Sequence, residues 1–202
     1  MISQIASEDL KKIEAAIHKK FSRVAVSPEG QFKYPTGKNA LRQLNYEDSL
    51  IERLPDEVIA GYCGVGNPFS LGEIQQGQNV LDVGCGAGVD TFFAAILVGP
   101  AGSSVGVDLV PEMISRAKKN QQLLNLDNVG FQIFSGENLP FPDGSFDVVI
   151  SNGVINLIPD KQAALTEIAR VLKPFGRVML ADQISAGNIE KDLSVRLANW
   201  FQ

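Results

Sequence analysis

The sequence predicts a doubly wound α/β fold with a mostly parallel sheet, and three observations support that prediction. Short apolar runs alternate with amphipathic helical stretches from Asn79 onward. The runs are apolar on both faces, which is typical of strands that are covered by helices on both sides. Glycine-rich or polar loops follow several of these runs, at the edge where open parallel sheets bind their ligands. The sequence therefore predicts a βαβ core with a binding site at that edge.

The predicted core contains five strands and three helices. We expect the strands at residues 80–83, 104–107, 129–134, 146–151 and 177–181. We expect the helices at residues 89–98, 111–124 and 160–172. Pro111 suits a first helical turn, Asp160 can cap the last helix, and residues 173–176 can end it. A further helix is expected at residues 189–202.

The N-terminal region is predicted to be a helical extension of this core. Residues 7–21 have the pattern of an amphipathic helix with an apolar face. That face carries Leu10, Ile13, Ile17 and Phe21. Residues 27–37 are rich in proline, glycine and polar side chains and predict a loop. We therefore divide the chain into an N-terminal helical or lid segment, residues 1–45, and a core, residues 46–202.

Composition favours one globular domain. The chain has 202 residues, 45 % of them hydrophobic, which is enough for one buried core. A formal net charge of −5 argues against a nucleic-acid partner, because phosphate binding needs clustered cations. Two cysteines form neither a metal-ligand spacing nor a disulfide framework, so we expect no metal. The apolar run at 92–98 is too short to cross a membrane, and we expect a soluble, cytoplasmic protein.

The main site candidate is the glycine-rich loop at residues 84–88. It directly follows a predicted strand and directly precedes a helix, the context that a nucleotide loop needs. Glycines permit the tight turn and the close approach of a ligand to the backbone. The spacing is G-x-G-x-G, whereas a dinucleotide fingerprint is G-x-G-x-x-G. A strand-to-helix turn without a ligand is the alternative.

Two acidic residues narrow the choice of ligand. Asp82 stands before the first glycine, where it would disfavour a pyrophosphate and favour a cation. The α-ammonium and sulfonium groups of S-adenosylmethionine supply such positive charge. Asp108 ends the next strand, where a carboxylate can accept the hydroxyl groups of a ribose. A helix cap before Pro111 is the alternative role for Asp108.

Four motifs in order resemble those of class I S-adenosylmethionine-dependent methyltransferases, whose core is Rossmann-like. The motifs are VLDVGCGAG (80–88), VGVDLVPEM (105–113), GENLPFPDGSFDVVISN (136–152) and LKPFGRVMLAD (172–182). The resemblance implies that the cofactor is S-adenosylmethionine and that the acceptor is a small molecule. It also implies the cofactor-binding residues: Asp82, Gly84, Cys85 and Gly86 in the first motif, Asp108 and Leu109 in the second, and Gly136, Glu137 and Asn152 in the third.

A narrower resemblance is to the arsenite methyltransferase branch. Residues 66–68 (GNP) and 151–157 (SNGVINL) carry this likeness. The branch has a cysteine that binds trivalent arsenic in the form SNCVINL, where this chain has Gly153, and often a second cysteine where this chain has Val65. A soft As(III) site needs thiolates. Because of the likeness at the other positions, a relative of the arsenite methyltransferases is one alternative, and an enzyme that methylates another small molecule is the main prediction.

Methyl transfer from a sulfonium is an in-line displacement that depends mainly on alignment and on exclusion of water. We expect Asn152 and Asn156 to position the reacting groups and Asn67, in the glycine-rich loop 61–68, to line the cofactor site. Tyr34 and Tyr46 are candidates for a lid or for packing.

The sequence is also compatible with two other functions. One is an oxidoreductase that uses a dinucleotide. The other is a degenerate cofactor-binding module without activity. Ser135, where many relatives have an acid, and the apparent lack of the C-terminal strand pair that completes the sheet of relatives favour the degenerate module.

Overall fold

The computed structural model describes residues 7–134 and 138–184, and the statements below concern those residues. Five parallel strands form one sheet, in the order β3-β2-β1-β4-β5. The strands are β1 (Asn79–Val83), β2 (Ser103–Asp108), β3 (Val129–Ile133), β4 (Phe146–Asn152) and β5 (Leu172–Ala181). Since the chain winds outward from β1 in both directions, the strand order reverses between β1 and β4. This confirms the predicted doubly wound α/β fold.

Seven helices surround the sheet in the described ranges. They are α1 (Ser7–Val26), α2 (Gly37–Gln43), α3 (Asp48–Ile51), α4 (Asp56–Ile59), α5 (Val89–Val98), α6 (Pro111–Gln121) and α7 (Lys161–Val171). Two 3-10 turns, Pro68–Leu71 and Ile155–Leu157, lie in the connections. None of the helices in these ranges is both long and apolar enough to cross a membrane.

The two faces of the sheet bury alternate residues of each strand. Val80 packs with Ala94 and Val98 of α5, whereas its neighbour Leu81 packs with Ile168 of α7. This alternation follows from the two-residue period of a strand. Central strand positions are therefore mostly apolar, with Asp82 and Ser104 as buried polar exceptions, and this is the pattern from which the sequence predicts a sheet covered on both sides.

The predicted helix positions agree with the structure, with shifts at some ends. The helix α5 has the predicted bounds, α6 ends three residues earlier than expected, and α1 continues to Val26. The carboxylate of Asp160 accepts a hydrogen bond of 2.9 Å from the Ala163 amide, as a cap does, so α7 begins at Lys161. The helix predicted at residues 189–202 lies outside the described residues.

The helix α1 lies against α6, beside the carboxyl end of the sheet. Ile13 and Ile17 of α1 belong to one buried cluster with Val110 and Met113. Arg116 of α6 donates hydrogen bonds to the last carbonyl groups of α1, at 2.7 and 2.9 Å. Because cations stabilise the carboxyl end of a helix, this contact holds α1 in place.

The strand β5 starts at Leu172, earlier than the predicted position 177. Phe146 pairs with Leu172, but Val148 pairs with Arg177, so residues 173–176 bulge out of the ladder. Within the bulge, Phe175 has φ = 65° and its ring is fully exposed. This is the left-handed region that a side chain with a Cβ rarely adopts.

We expect Phe175→Gly to stabilise the protein by about 0.5–1 kcal/mol, since glycine adopts positive φ without strain but has more entropy to lose. A thermal melt should show a rise in Tm of roughly 1–4 °C. Phe175→Ala is the matched control because it also removes the exposed ring but keeps the backbone strain. Equal stabilisation by both variants would show that the ring, not the backbone, is the cause.

Candidate functional site

The carboxyl ends of β1, β2 and β4 meet where the strand order reverses, and a cavity of about 420 Å³ opens there. Its wall includes Gly84 and Gly86 after β1, Asp108 at the end of β2, and Asn152 at the end of β4. The helix α1 forms another part of the wall. This volume is within the usual range for small-molecule sites. We call it the main cavity.

The glycine-rich loop forms the floor of the site, as the sequence predicts. Gly84 has φ = 78°, and a Cβ there would collide with Val154. Gly86 has φ = 53°, and a Cβ there would meet no atom within 4 Å. The first glycine therefore allows close packing of the loop, whereas the second leaves open space above the backbone that a ligand can occupy.

Asp108 connects the loop to the next strand. One carboxylate oxygen accepts the Gly86 amide at 2.9 Å, and the other accepts the Val110 amide at 2.9 Å. Each oxygen has a second lone pair for the hydroxyl groups of a ligand. Burial raises the pKa of this carboxyl, and the backbone hydrogen bonds oppose that rise. Asp108 therefore orders the loop and still lines the cavity. The N-cap of α6 is Val110 without a side-chain hydrogen bond, so Asp108 does not cap that helix, which was the alternative role considered for it.

A second, smaller cavity of about 40 Å³ is also lined by the glycine-rich loop. Asp82, Asp90, Cys85 and Asn152 contribute to its wall. Asp82 is 2 % exposed and accepts a hydrogen bond of 2.6 Å from the Thr91 hydroxyl. Burial and then the neighbouring Asp90 raise the pKa of Asp82. Two buried carboxylates at one small cavity favour a cationic group there, because such a group would stabilise their charged forms.

A buried polar cluster borders the small cavity, and four side chains form it: Tyr46, Tyr62, Asp90 and Asn152. One Asp90 oxygen accepts from the Tyr46 hydroxyl and the other from the Asn152 amide, both at 2.9 Å. The Asn152 oxygen accepts the backbone amides of Val65 at 2.8 Å and Gly66 at 3.1 Å. The Tyr62 hydroxyl donates to the Gly66 carbonyl at 2.9 Å. The cluster thus fastens the loop at 62–66 to α5 and to the end of β4.

The sequence predicts no individual role for Asp90 or Tyr62, although Tyr62 lies in the glycine-rich loop 61–68, which is a predicted site candidate. The available signal was an acid in the first turn of α5 that stands among apolar residues. Tyr46, a lid candidate, is 5 % exposed and belongs to the cluster. Tyr34, the other lid candidate, lines the main cavity, and its hydroxyl donates to the Cys63 carbonyl at 3.2 Å.

Most of the other predicted residues gather at the site, but two do not. Leu109 lines the main cavity. Asn67 lines neither cavity, because its side chain accepts the Phe69 amide and donates to the Asn45 carbonyl, which holds the turn Pro68–Leu71. Asn156 also lines neither cavity, and its backbone amide donates to Asp182. We therefore withdraw these two from the site. Gly136 and Glu137 lie outside the described residues.

Asp90 makes stability depend on pH. Burial is the main cause that raises the pKa of this carboxyl to about 6. The folded state therefore keeps the proton to a higher pH than the unfolded chain does, and stability falls as pH rises from the ordinary aspartate range to about 6. Asp90→Asn should reduce this fall in denaturant melts across that interval. The same substitution at the exposed residue Asp127 is the control. If Asp90→Asn leaves the slope of stability against pH unchanged, the assignment of this pH dependence to Asp90 is wrong.

Comparison with known protein families shows to which family the chain belongs. A model of the methyltransferase domain family matches residues 74–200, which is more than half of the sequence. The chain belongs to the methyltransferase domain family. The resemblance to class I S-adenosylmethionine-dependent methyltransferases is thereby confirmed.

This methyltransferase domain resembles several longer proteins. It is 39 % identical over 160 residues to an arsenite methyltransferase of Halobacterium salinarum, covering 79 % of this chain and 41 % of that protein. It is 38 % identical over 116 residues to nocamycin O-methyltransferase of Saccharothrix syringae, covering 57 % of this chain and 41 % of that protein. The chain thus spans less than half the length of these relatives.

A solved structure supports the fold. It is that of an arsenic (III) S-adenosylmethionine methyltransferase from Chlamydomonas reinhardtii, with a TM-score of 0.56 and 35 % sequence identity. The match covers 74 % of this chain and 50 % of that one.

Proposed function

We propose that this domain binds S-adenosylmethionine and transfers its methyl group to a small-molecule acceptor in the main cavity. The proposal rests mainly on two neighbouring features at the edge of the sheet where the strand order reverses. A small acidic cavity suits a cationic amino-acid end, and Asp108 beside the open Gly86 backbone suits a ribose. The nocamycin O-methyltransferase and arsenite methyltransferase relatives support a small acceptor.

The residues present fit this cofactor. Asp82 and Asp90 would face its α-ammonium end, and Asp108 would accept the ribose hydroxyl groups. The space above Gly86, which a Cβ would fill, allows the ligand to lie against the backbone. Leu109, Val110 and other apolar residues of the main cavity would cover the adenine.

When bound, S-adenosylmethionine supplies a methyl group on a positively charged sulfur. In the proposed complex that methyl group would pass to an acceptor atom held in the main cavity, with the electron pair of the carbon–sulfur bond going to sulfur, and the acceptor would release any proton when the product leaves the site. Asn152 keeps the loop at 62–66 in place beside the small cavity through its hydrogen bonds to Val65 and Gly66. The apolar wall of the main cavity excludes water, and alignment supplies most of the rate.

Calorimetry with S-adenosylmethionine and with NAD tests the cofactor assignment on the full chain. We expect binding of the first and none of the second, since the glycine spacing and Asp82 both disfavour a pyrophosphate. NAD binding without affinity for S-adenosylmethionine would reject the proposal. A screen for S-adenosylhomocysteine release with amine, hydroxyl, thiol and arsenite acceptors then tests activity. No release with any acceptor would favour a binding module without activity.

Arsenite is a less suitable acceptor on chemical grounds. The chain contains two cysteines, Cys63 and Cys85. Burial raises the pKa of the Cys63 thiol to about 12, and burial also raises the pKa of Cys85. A thiol must lose its proton when it binds As(III), and burial makes that loss less favourable at both cysteines.

The structure places the two cysteine positions of the arsenite branch side by side. A Cβ on Gly153 would lie 3.2 Å from a Val65 methyl group. We expect the double variant Val65→Cys/Gly153→Cys to gain As(III) binding, measured by titration with loss of free thiols. Val65→Cys alone is the control because it adds one thiol without the partner. Because Gly153 has φ = 75°, the double variant should also lose about 1 kcal/mol of stability. Equal As(III) binding by the single and double variants would contradict this pairing.

A further inference from the structure

The charged side chains that line the main cavity are all acidic in the part of the chain that the structure describes. They are Glu14 on α1, Asp108 at the end of β2, and Asp160 before α7. The small cavity adds Asp82 and Asp90. These two and Asp108 face the cofactor in the proposed complex, so Glu14 and Asp160 are the acidic side chains of the main cavity that remain for an acceptor. Since a cleft lined by one sign of charge concentrates the opposite charge, this site attracts cations and repels anions.

Backbone donors that often bind anions are already occupied by the protein's own carboxylates. The amides of Gly86 and Val110 both donate to Asp108, at 2.9 Å. The amide of Ala163, at the start of α7, donates to Asp160 at 2.9 Å. An anionic acceptor would therefore find neither a cationic side chain nor these three amides available in the cavity wall.

Two cations near α1 have other contacts. Arg116 donates to the carbonyl groups at the end of α1, at 2.7 and 2.9 Å. The ammonium of Lys20 lies 4.8 Å from the centre of the Phe32 ring. Neither side chain lines the main cavity, although the charge of each acts on Cys63 in its wall and lowers the pKa of that thiol against the effect of burial.

The rest of the wall is mostly apolar. The α1 face contributes Leu10, Ile17 and Phe21 at helical spacing, and Glu14 lies in the same row. Leu157, Ile158 and Pro159 contribute from the connection before α7. A ligand that matches this wall is apolar over most of its surface and has a positive group near Glu14 or Asp160.

We propose that the acceptor is an apolar small molecule that carries a cationic amine, and that acceptors with a negative charge bind more weakly. This inference rests on the proposed methyl transfer, because it assigns the substrate class of the same site. Glu14 determines the preference for the amine, since it is the acidic side chain that lies within the apolar row of α1.

Calorimetry with three probes of similar size tests the charge preference on the full chain. The probes are 3-phenylpropylamine, 3-phenylpropanamide and 3-phenylpropionate, titrated at neutral pH with and without S-adenosylhomocysteine. We expect the amine to bind about two- to fivefold more tightly than the amide, the size of one exposed charge pair. We expect the carboxylate to bind roughly tenfold more weakly than the amine, because it faces only acidic side chains. Higher salt should reduce both differences.

Glu14→Gln should reduce the preference for the amine over the amide, whereas Glu8→Gln should preserve it. Glu8 is a matched control because it lies on the same helix, is exposed and does not line the cavity. Equal binding of amine and amide by the unmodified protein, or tighter binding of the carboxylate, would overturn the inference. The same loss in both glutamate variants would also overturn it. A separate titration with S-adenosylhomocysteine alone reports on the cofactor, so failure there is distinguishable from failure of the charge preference.

Discussion

Asp108→Ala is expected to weaken S-adenosylmethionine binding by roughly 10- to 100-fold, the equivalent of one or two lost charge-assisted hydrogen bonds. The substitution removes the carboxylate that we propose as the acceptor for the ribose. It also leaves the amides of Gly86 and Val110 without their carboxylate, so the glycine-rich loop loses its fixed position. Both effects act on the same ligand, and we therefore expect the larger end of this range. Calorimetry of the purified variant measures it.

Asp127→Ala is the control for this experiment, because Asp127 is exposed and follows the same helix α6 at a distance from both cavities. A thermal melt without cofactor separates lost binding from lost folding. If Asp108→Ala binds S-adenosylmethionine as tightly as the unmodified protein, the ribose assignment is wrong. If it melts below room temperature, the affinity of Asp108→Asn replaces it as the test.

The core of the fold was predictable from the sequence because its signals are local. A helix such as α5 is bounded by glycines, and β1 is a short apolar run that ends at Gly84. Asp160 marks the start of α7, because it caps the helix by accepting the amide of a residue only three positions later. The position of Asp108 was also predictable, because the strand before it and the helix after it fix where the side chain must emerge.

The buried polar cluster could not be predicted in the same way. Tyr46 and Asp90 are 44 positions apart in the sequence, and Tyr46 and Asn152 are 106 positions apart. No local pattern indicates which loops meet above a sheet, since that depends on how α1 to α4 pack. The same reason explains Asn67 and Asn156. The Asn67 side chain holds the turn Pro68–Leu71, and the Asn156 side-chain oxygen is buried without a hydrogen-bond partner and lines neither cavity. Residue type therefore predicts which side chains could serve at the site, but the packing of the folded chain determines which of them reach it.

Asn152→Ala is expected to cost the protein about 2–4 kcal/mol of stability and to lower Tm by roughly 4–16 °C. The Asn152 oxygen holds the amides of Val65 and Gly66, and its amide group donates to Asp90. Alanine provides none of these contacts, so the two partly buried loop amides lose their acceptor and the buried Asp90 retains the hydrogen bond from Tyr46 without the one from Asn152. Asn39→Ala is the matched control, because Asn39 is exposed on α2 and should tolerate alanine.

The pH dependence of the Asn152→Ala variant distinguishes a link to Asp90 from a simple loss of packing. The hydrogen bond from Asn152 favours the charged form of Asp90 and lowers its pKa, against the burial that raises it. Without that bond the pKa of Asp90 rises further, so the fall in stability with rising pH should continue above about 6. The double variant Asp90→Asn/Asn152→Ala should lack this extension, since position 90 no longer titrates. An equal loss of stability at every pH in Asn152→Ala would mean that Asn152 only supports the loop, and that the carboxylate at the small cavity is controlled by burial and Tyr46 alone.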